Sequence, residues 1–142
     1  MKICLMMLGK TRRAEIRALL DDYLSRVRRH CEVDAVEVRD SAAGQRKLAV
    51  ASPATVVLLD AAGKKFTSEE FAAWLRERRD RGTRELVFLC GDAEGFPAEL
   101  RQRAQMKLSL TPLTLSHELA RVVLAEQLYR AFAILSGSPY PK

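Results

Sequence analysis

Runs in which almost every residue is apolar alternate along this chain with stretches whose apolar residues recur every three or four positions. Few folds satisfy that alternation. Ile3-Cys4-Leu5-Met6-Met7-Leu8, Thr55–Asp60 and Glu85–Cys90 are short, nearly continuous apolar or β-branched runs, as expected of strands covered on both faces. Val33-x-x-Val36-x-Val38 and Lys107–Leu110 are two further strand candidates. Between the first two strands, Ile16, Leu19, Leu20, Tyr23, Leu24 and Val27 keep helical spacing inside residues Thr11–His30. Ser41–Ala51 reads as a short helix, and Ala61-Ala62-Gly63-Lys64 as a turn. Thr67-x-x-Glu70 has the form of a capping box ahead of Phe71, Trp74 and Leu75, with Gly82 as a left-handed stop. Pro97 opens a short helix to about Gln105, Thr111–Leu115 is a loop, and a long helix runs from about Ser116 to Ser136. Strand and helix in alternation define an α/β fold with a mainly parallel sheet. At 142 residues, positions 1–142 form one domain.

Composition removes several classes of function. With 48% hydrophobic and 30% charged residues, and only 7 Gly and 5 Pro, the chain is neither disordered nor low-complexity. No apolar run is long enough to span a bilayer, and no cleavable signal is expected ahead of the first strand. Cys4, Cys31 and Cys90 are widely spaced without a Cys-x-x-Cys pair, and His30 and His117 stand in unrelated contexts. Reduced thiols in a cytoplasmic protein, with no metal site and no membrane association, are expected. The net charge of +6 permits a phosphate-rich partner without requiring one. The cations cluster at Arg12-Arg13, at Arg26, Arg28 and Arg29, and from Arg76 to Arg84. They serve either as solvated helix faces and ends or as an RNA-facing surface.

In parallel sheets, ligands sit beyond the carboxyl ends of strands. Three loops fall there, after Asp60, after Cys90 and after Leu110. Gly91-x-x-x-Gly95 is neither a Walker A loop nor a dinucleotide fingerprint. It is a tight strand-to-helix turn, or a place where a flat ligand approaches the backbone. Leu110-Thr111-Pro112-Leu113-Thr114-Leu115 is unusually apolar for a loop. It suits a covered edge segment or a wall against an uncharged purine. In the last helix, Leu119, Val122, Val123, Ala133 and Ile134 fall on one side, and Ala120, Leu124, Leu128, Ala131 and Leu135 on the other. A helix apolar on two sides is buried on two sides, so one of them is expected to meet another subunit. Glu126 and Arg130, four apart on the Leu119 side, form a buried structural pair or part of a site. His117, at the start of the helix, is a capping histidine or a group that donates or accepts near a substrate.

The order and spacing of these residues resemble a known family. Leu58-Leu59-Asp60-x-x-Gly63-Lys64-x-x-x-Ser68-x-x-Phe71-Ala72 is followed by Gly91-x-x-x-Gly95. Then comes Leu108-Ser109-Leu110-x-x-Leu113-Thr114-Leu115-x-His117-x-Leu119-x-Arg121-Val122-x-Leu124-x-Glu126-Gln127-Leu128-Tyr129-Arg130-Ala131, and finally Pro139-Tyr140. Across essentially the whole chain this resembles RlmH, the small SPOUT-class methyltransferases of large-subunit ribosomal RNA. The resemblance implies a SPOUT-like α/β domain with a carboxyl-terminal trefoil knot, an exception to the rule against threaded chains. It implies a homodimer built on the last helix. It further implies S-adenosylmethionine held by Leu59, Gly91 and the loop Leu110, Thr111, Pro112, Leu113, Thr114 and Leu115. The implied reaction is methylation of N3 of a pseudouridine in helix 69 of 23S rRNA, on the assembled ribosome. His117 is the implied catalytic residue, with Glu126, Arg130, Tyr140 and Lys142 in support. Two positions depart from the family pattern: Asp92 stands where a second glycine is usual, and Pro141 where a histidine is usual. A non-catalytic RNA- or ribosome-binding dimer that kept the fold is the competing reading.

Overall fold

The computed structural model describes residues 1–50 and 54–140. Five strands form one sheet: β1 (Lys2–Leu8), β2 (Val33–Val38), β3 (Ala54–Lys65), β4 (Glu85–Cys90) and β5 (Met106–Ser109). Their order across the sheet is β2-β1-β4-β3-β5, and every pairing is parallel. Five helices connect and close it: α1 (Ala14–Val27), α2 (Ser41–Val50), α3 (Ser68–Asp80), α4 (Ala98–Arg101) and α5 (His117–Ser136).

Strand residues alternate between two cores, which explains their continuous apolarity. Ile3, Leu5 and Met7 join Val57, Leu86 and Phe88 under α1, α3 and α5. Cys4, Met6 and Leu8 join Val56, Leu58, Val87 and Leu89 under α2 and α4. Burial raises the thiols of Cys4 to about 11 and Cys90 to about 12, so both act as small apolar side chains. The capping box at α3 is complete. Thr67 Oγ1 accepts from Glu70 N at 3.1 Å, and Glu70 Oε1 accepts from Thr67 N at 2.7 Å. Gly82, just past the helix, has φ +81°. At the end of α5, Gly137 has φ +73° and closes the helix with its N–H on the last turn.

Two sequence expectations are corrected. The expected turn at Ala61-Ala62-Gly63-Lys64 is instead part of β3, which runs on to Lys65 through a bulge where Leu59 and Lys64 both pair with Leu108. The cause is a backbone crossing that only glycine allows. A Cβ on Gly63 would lie 2.7 Å from the carbonyl carbon and oxygen of Lys107 and 2.9 Å from Leu108 N. The expected helix from Pro97 to about Gln105 is only the single turn Ala98–Arg101. Gln105 is drawn to the sheet instead: its N–H donates to Val56 O at 2.9 Å, and its Oε1 accepts from Val56 N at 2.6 Å.

The last helix packs between α1 and α3. Leu124, Leu128 and Ala131 are fully inside. Val122 and Ala133, placed by periodicity with the opposite side, are also buried, because a helix wedged between two others buries a broad arc. Leu119 and Ile134 remain 45% and 39% exposed, leaving an apolar strip on the outer side.

The Gly63 crossing gives a direct stability test. Gly63→Val should lower the unfolding free energy by about 2 kcal/mol or more, as forced overpacking does. Gly44→Ala, in α2, should be neutral or stabilising by up to ~1 kcal/mol, because its Cβ would meet only ordinary contacts at 3.7–3.8 Å. Urea denaturation of both variants measures the contrast, and a Gly63→Val midpoint equal to wild type would refute the crossing.

Candidate active site

A cavity of about 550 Å³ opens at the bulge of β3 and beyond the carboxyl ends of β4 and β5. Leu59, Asp60 and Ala61 line it from β3, Gly91, Asp92, Ala93, Gly95 and Phe96 from the loop after β4, and Leu108 and Leu110 from β5 and its exit. Thr111, Leu113, Thr114 and Leu115 close one wall, and Ser116, His117 and Ala120 bring the start of α5 to the rim. Leu59, Gly91 and most of the apolar loop therefore converge from three chain segments, the latter two following strand ends as the rule for parallel sheets predicts. Pro112 belongs to the same loop but does not line the cavity.

The glycine loop has a definite local cause. Asp92 Oδ1 accepts from Glu94 N at 2.9 Å, Gly95 N donates to Asp92 O at 3.1 Å, and Gly95 takes φ +82°. Asp92 thus builds an aspartate turn of its own, where the resemblance leads to a second glycine being expected. A Cβ on Gly91 would meet the Phe96 ring at 3.1 Å, so the glycine here serves close packing against that ring. Sequence reasoning missed Asp60 and Arg101, which pair at 3.0 Å across the cavity wall. A backbone N–H from Ala62 and then Arg101 hold the Asp60 carboxyl below its ordinary range.

His117 is held by its neighbours rather than by its own hydrogen bonds. Ser116 Oγ caps α5 by accepting from Leu119 N at 3.3 Å. The next carboxylate, Glu118, is 8% exposed, and its Oε1 accepts from Arg13 N at 3.1 Å. That bond, across more than a hundred residues of chain, ties the start of α5 to the start of α1. His117 Nε2 lies 4.0 Å from Glu118 Oε2. One turn on, Arg121 is completely buried, donating to Leu8 O at 2.6 Å and to Thr11 Oγ1 at 2.8 Å, with Glu37 Oε2 at 4.0 Å.

Glu126, Arg130 and Tyr140 form a second cluster. Glu126 Oε2 accepts from Arg130 NH2 at 2.8 Å and from Tyr140 OH at 3.0 Å, and the Arg130 guanidinium lies over the Tyr140 ring at 4.7 Å. Burial, then hydrogen bonds with Tyr23 and Glu126, push the Tyr140 phenol up, so it stays a neutral donor. Nine residues of helix separate His117 from Glu126, about 13 Å along the axis. Within one chain the two clusters do not share a site. Lys142 and Pro141 lie outside the described residues.

Among the described residues, no three His, Cys, Asp or Glu side chains come together to hold a metal ion, and no helix is long and apolar enough to cross a membrane. The parallel sheet and the cavity at its carboxyl edge are the frame of a SPOUT-class transferase. The chain matches the family described as "Predicted SPOUT methyltransferase" over residues 1–141, and it belongs to that family. Its relatives include the proteins named "Ribosomal RNA large subunit methyltransferase H". That of Koribacter versatilis is 40% identical, with 99% of this chain and 97% of the relative covered. That of Sorangium cellulosum is 37% identical, with 99% of each covered. Among solved structures, a probable methylase family protein from Haemophilus influenzae Rd KW20 superposes with TM-score 0.59 at 14% identity, covering 99% of this chain and 70% of its own. The SpoU methyltransferase AviRb from Streptomyces viridochromogenes, solved in complex with AdoMet, gives TM-score 0.54 at 13% identity, covering 89% of this chain and 56% of its own. At those identities the two structures support the fold alone.

The Glu118 tether makes the rim pH-sensitive. Backbone N–H of Arg13, then that of Arg12 and the charges of His117 and Arg121, outweigh desolvation and hold Glu118 below its ordinary 4.5. A carboxylate depressed in the folded state contributes stability above its unfolded pKa and loses it as pH falls through the folded value. Thermal melting should therefore drop below about pH 4.5, and Glu118→Gln should flatten that part of the profile. A variant with the wild-type acid limb would remove the tether from the account.

Proposed function

We propose that this chain is an S-adenosylmethionine-dependent ribosomal RNA methyltransferase whose target is N3 of a pseudouridine in helix 69 of 23S rRNA, on the assembled ribosome in the cytoplasm. What carries the reading is the convergence of the β3 bulge and the two loops after β4 and β5 on a single cavity, in a chain matching these relatives end to end.

The cavity fits the cofactor in size and chemistry. Sites for ligands of this size run about 300–1,000 Å³, with mostly apolar walls and few polar groups. Leu59, Leu110, Leu113 and Leu115 supply the apolar walls, and Gly91 and Gly95 bring bare backbone to the surface. Leu59, Gly91 and the Leu110–Leu115 loop would hold it, with Pro112 shaping that loop from outside the cavity. S-adenosylmethionine, when bound, supplies a methyl on a sulfonium that departs as a neutral thioether.

The protein's part is placement and proton handling. An imide N3 must lie in line with the donated methyl, and fixing that line supplies much of the rate. The N3 proton must also leave. His117, at the cavity rim, accepts it or orients the base. Glu126, Arg130, Tyr140 and Lys142 support the substrate. A single chain separates these groups from His117, so the active form in this proposal is a two-fold homodimer. It is seated on the apolar outer strip of α5, and each cavity takes the partner's Tyr140 tail. The trefoil threading of the chain after β5 belongs to the same proposal.

The test uses ribosomes from a strain lacking the modification, incubated with the chain and labelled S-adenosylmethionine, with the product base mapped. Label on N3 of a helix 69 pseudouridine is expected. Cofactor binding without transfer to ribosomes would favour the non-catalytic RNA-binding reading, and label on another base would replace the target.

A further inference from the structure

The sequence left three basic clusters undecided, and the structure separates them. Arg26 pairs with Asp22 at 3.3 Å and lies over the rings of Tyr23 and Tyr129. Arg76 and Arg79 pair with Asp80, Arg78 and Arg81 pair with Glu77, and Arg78 also covers Trp74. Those cations are engaged along their own helices. Arg28 and Arg29 lie past the far end of α1, about 20 Å from its start. At that start, the loop joining β1 to α1 differs. Lys10 and Arg12 are exposed and form no ion pair among the described residues, and Arg13 has only an exposed contact with Glu15 at 3.8 Å.

The loop backbone is nevertheless fixed. Gly9 N donates to Val38 O at 2.8 Å, and Thr11 N to Glu37. Thr11 O accepts from Arg17 at 2.7 Å, Thr11 Oγ1 accepts from the buried Arg121, and Arg13 N donates to Glu118. Thr11 is 3% exposed while its neighbours on both sides point to solvent. The segment is a rigid mount presenting Lys10 and Arg12 outward, and no packing requirement explains cations at those two positions. Glu118, which grips the mount, directly follows His117 on the cavity rim. β1 also lies beside β4, with Met7 level with Cys90, so the mount borders the mouth of the cavity. The rim after β4 carries the exposed acids Asp92 and Glu94, which repel a phosphate backbone.

We infer that Lys10 and Arg12 are the phosphate-gripping pair for the RNA strand that carries the target base, held in register with His117 by Glu118 and Arg121. This deepens the rRNA methyltransferase reading and rests on it. A rigid mount loses little conformational entropy when it binds. Its contacts fix strand register without reading sequence.

The experiment compares wild type, Lys10→Ala/Arg12→Ala and Lys10→Arg/Arg12→Lys in filter binding to ribosomes and to protein-free 23S rRNA over a range of salt. Calorimetry with S-adenosylhomocysteine runs in parallel. The neutralised variant should bind both RNA targets at least tenfold more weakly near 0.1 M salt. Its log–log salt slope should fall by about 1.5, two contacts at roughly 0.7–0.9 each. The charge-keeping variant should stay near wild type, and S-adenosylhomocysteine affinity should not change. Equal RNA affinity and slope in the neutralised variant, with wild type binding normally, would overturn the inference alone. So would a loss on ribosomes absent from protein-free RNA, which would assign the loop to a ribosomal protein, or a tenfold loss of S-adenosylhomocysteine affinity. Wild type failing to bind either RNA would defeat the functional reading itself.

Discussion

Arg121 is the joint on which the functional end of this molecule depends. A guanidinium with no solvent exposure is costly to bury and must find partners. It finds them in the last carbonyl of β1 and the Thr11 hydroxyl, with the Glu37 carboxylate of β2 facing it. The end of β1, the loop after it and β2, all far from α5 in sequence, are thereby tied to its first turns. Removing one partner of such a buried group costs about 3–5 kcal/mol in general. Here it would also release the helix start that carries His117 and Glu118. The position of the cavity rim and the position of the basic loop follow from this one contact.

The tether also separates what is rigid from what is left open. The inner side of α5 is spent on the core through Leu124, Leu128 and Ala131. The outer side carries the exposed Leu119 and Ile134, with the Glu126–Arg130–Tyr140 cluster between them. That side has apolar area without a cover and polar groups already arranged, a combination that suits a self-complementary contact between two copies. In the proposed enzyme, dimerisation and completion of the active site are then one event.

Much of this was legible in the sequence, for local reasons. β1, β4 and the middle of β3 were visible because strands covered on both faces are continuously apolar. α3 was visible because Thr67 and Glu70 cap it from within the same turn. Two of the three cavity segments, after β4 and β5, could be located because they follow strand ends. What was hidden depends on partners distant in sequence. Ala61–Lys64 has turn composition, yet stays in β3 because Gly63 crosses the Lys107 backbone. Pro97–Gln105 looks helical, yet stops early because Gln105 is bound to Val56. Arg121 sat in the family pattern with no visible role, since neither Leu8 nor Thr11 signals a buried guanidinium more than a hundred residues away. The Asp60–Arg101 pair was missed for the same reason.

The central claim is that His117 of one chain and the tail cluster of the other make one active site, and a mixed dimer tests it most directly. His117→Ala and a chain lacking residues 138–142 should each be nearly inactive in methyl transfer to ribosomes. Unfolded together and refolded as a mixture, they should regain activity, because one of the two sites in each mixed dimer then has both His117 and an intact tail. Activity that stays at the level of the separate variants at every mixing ratio, with mixed dimers shown to be present, would contradict the account.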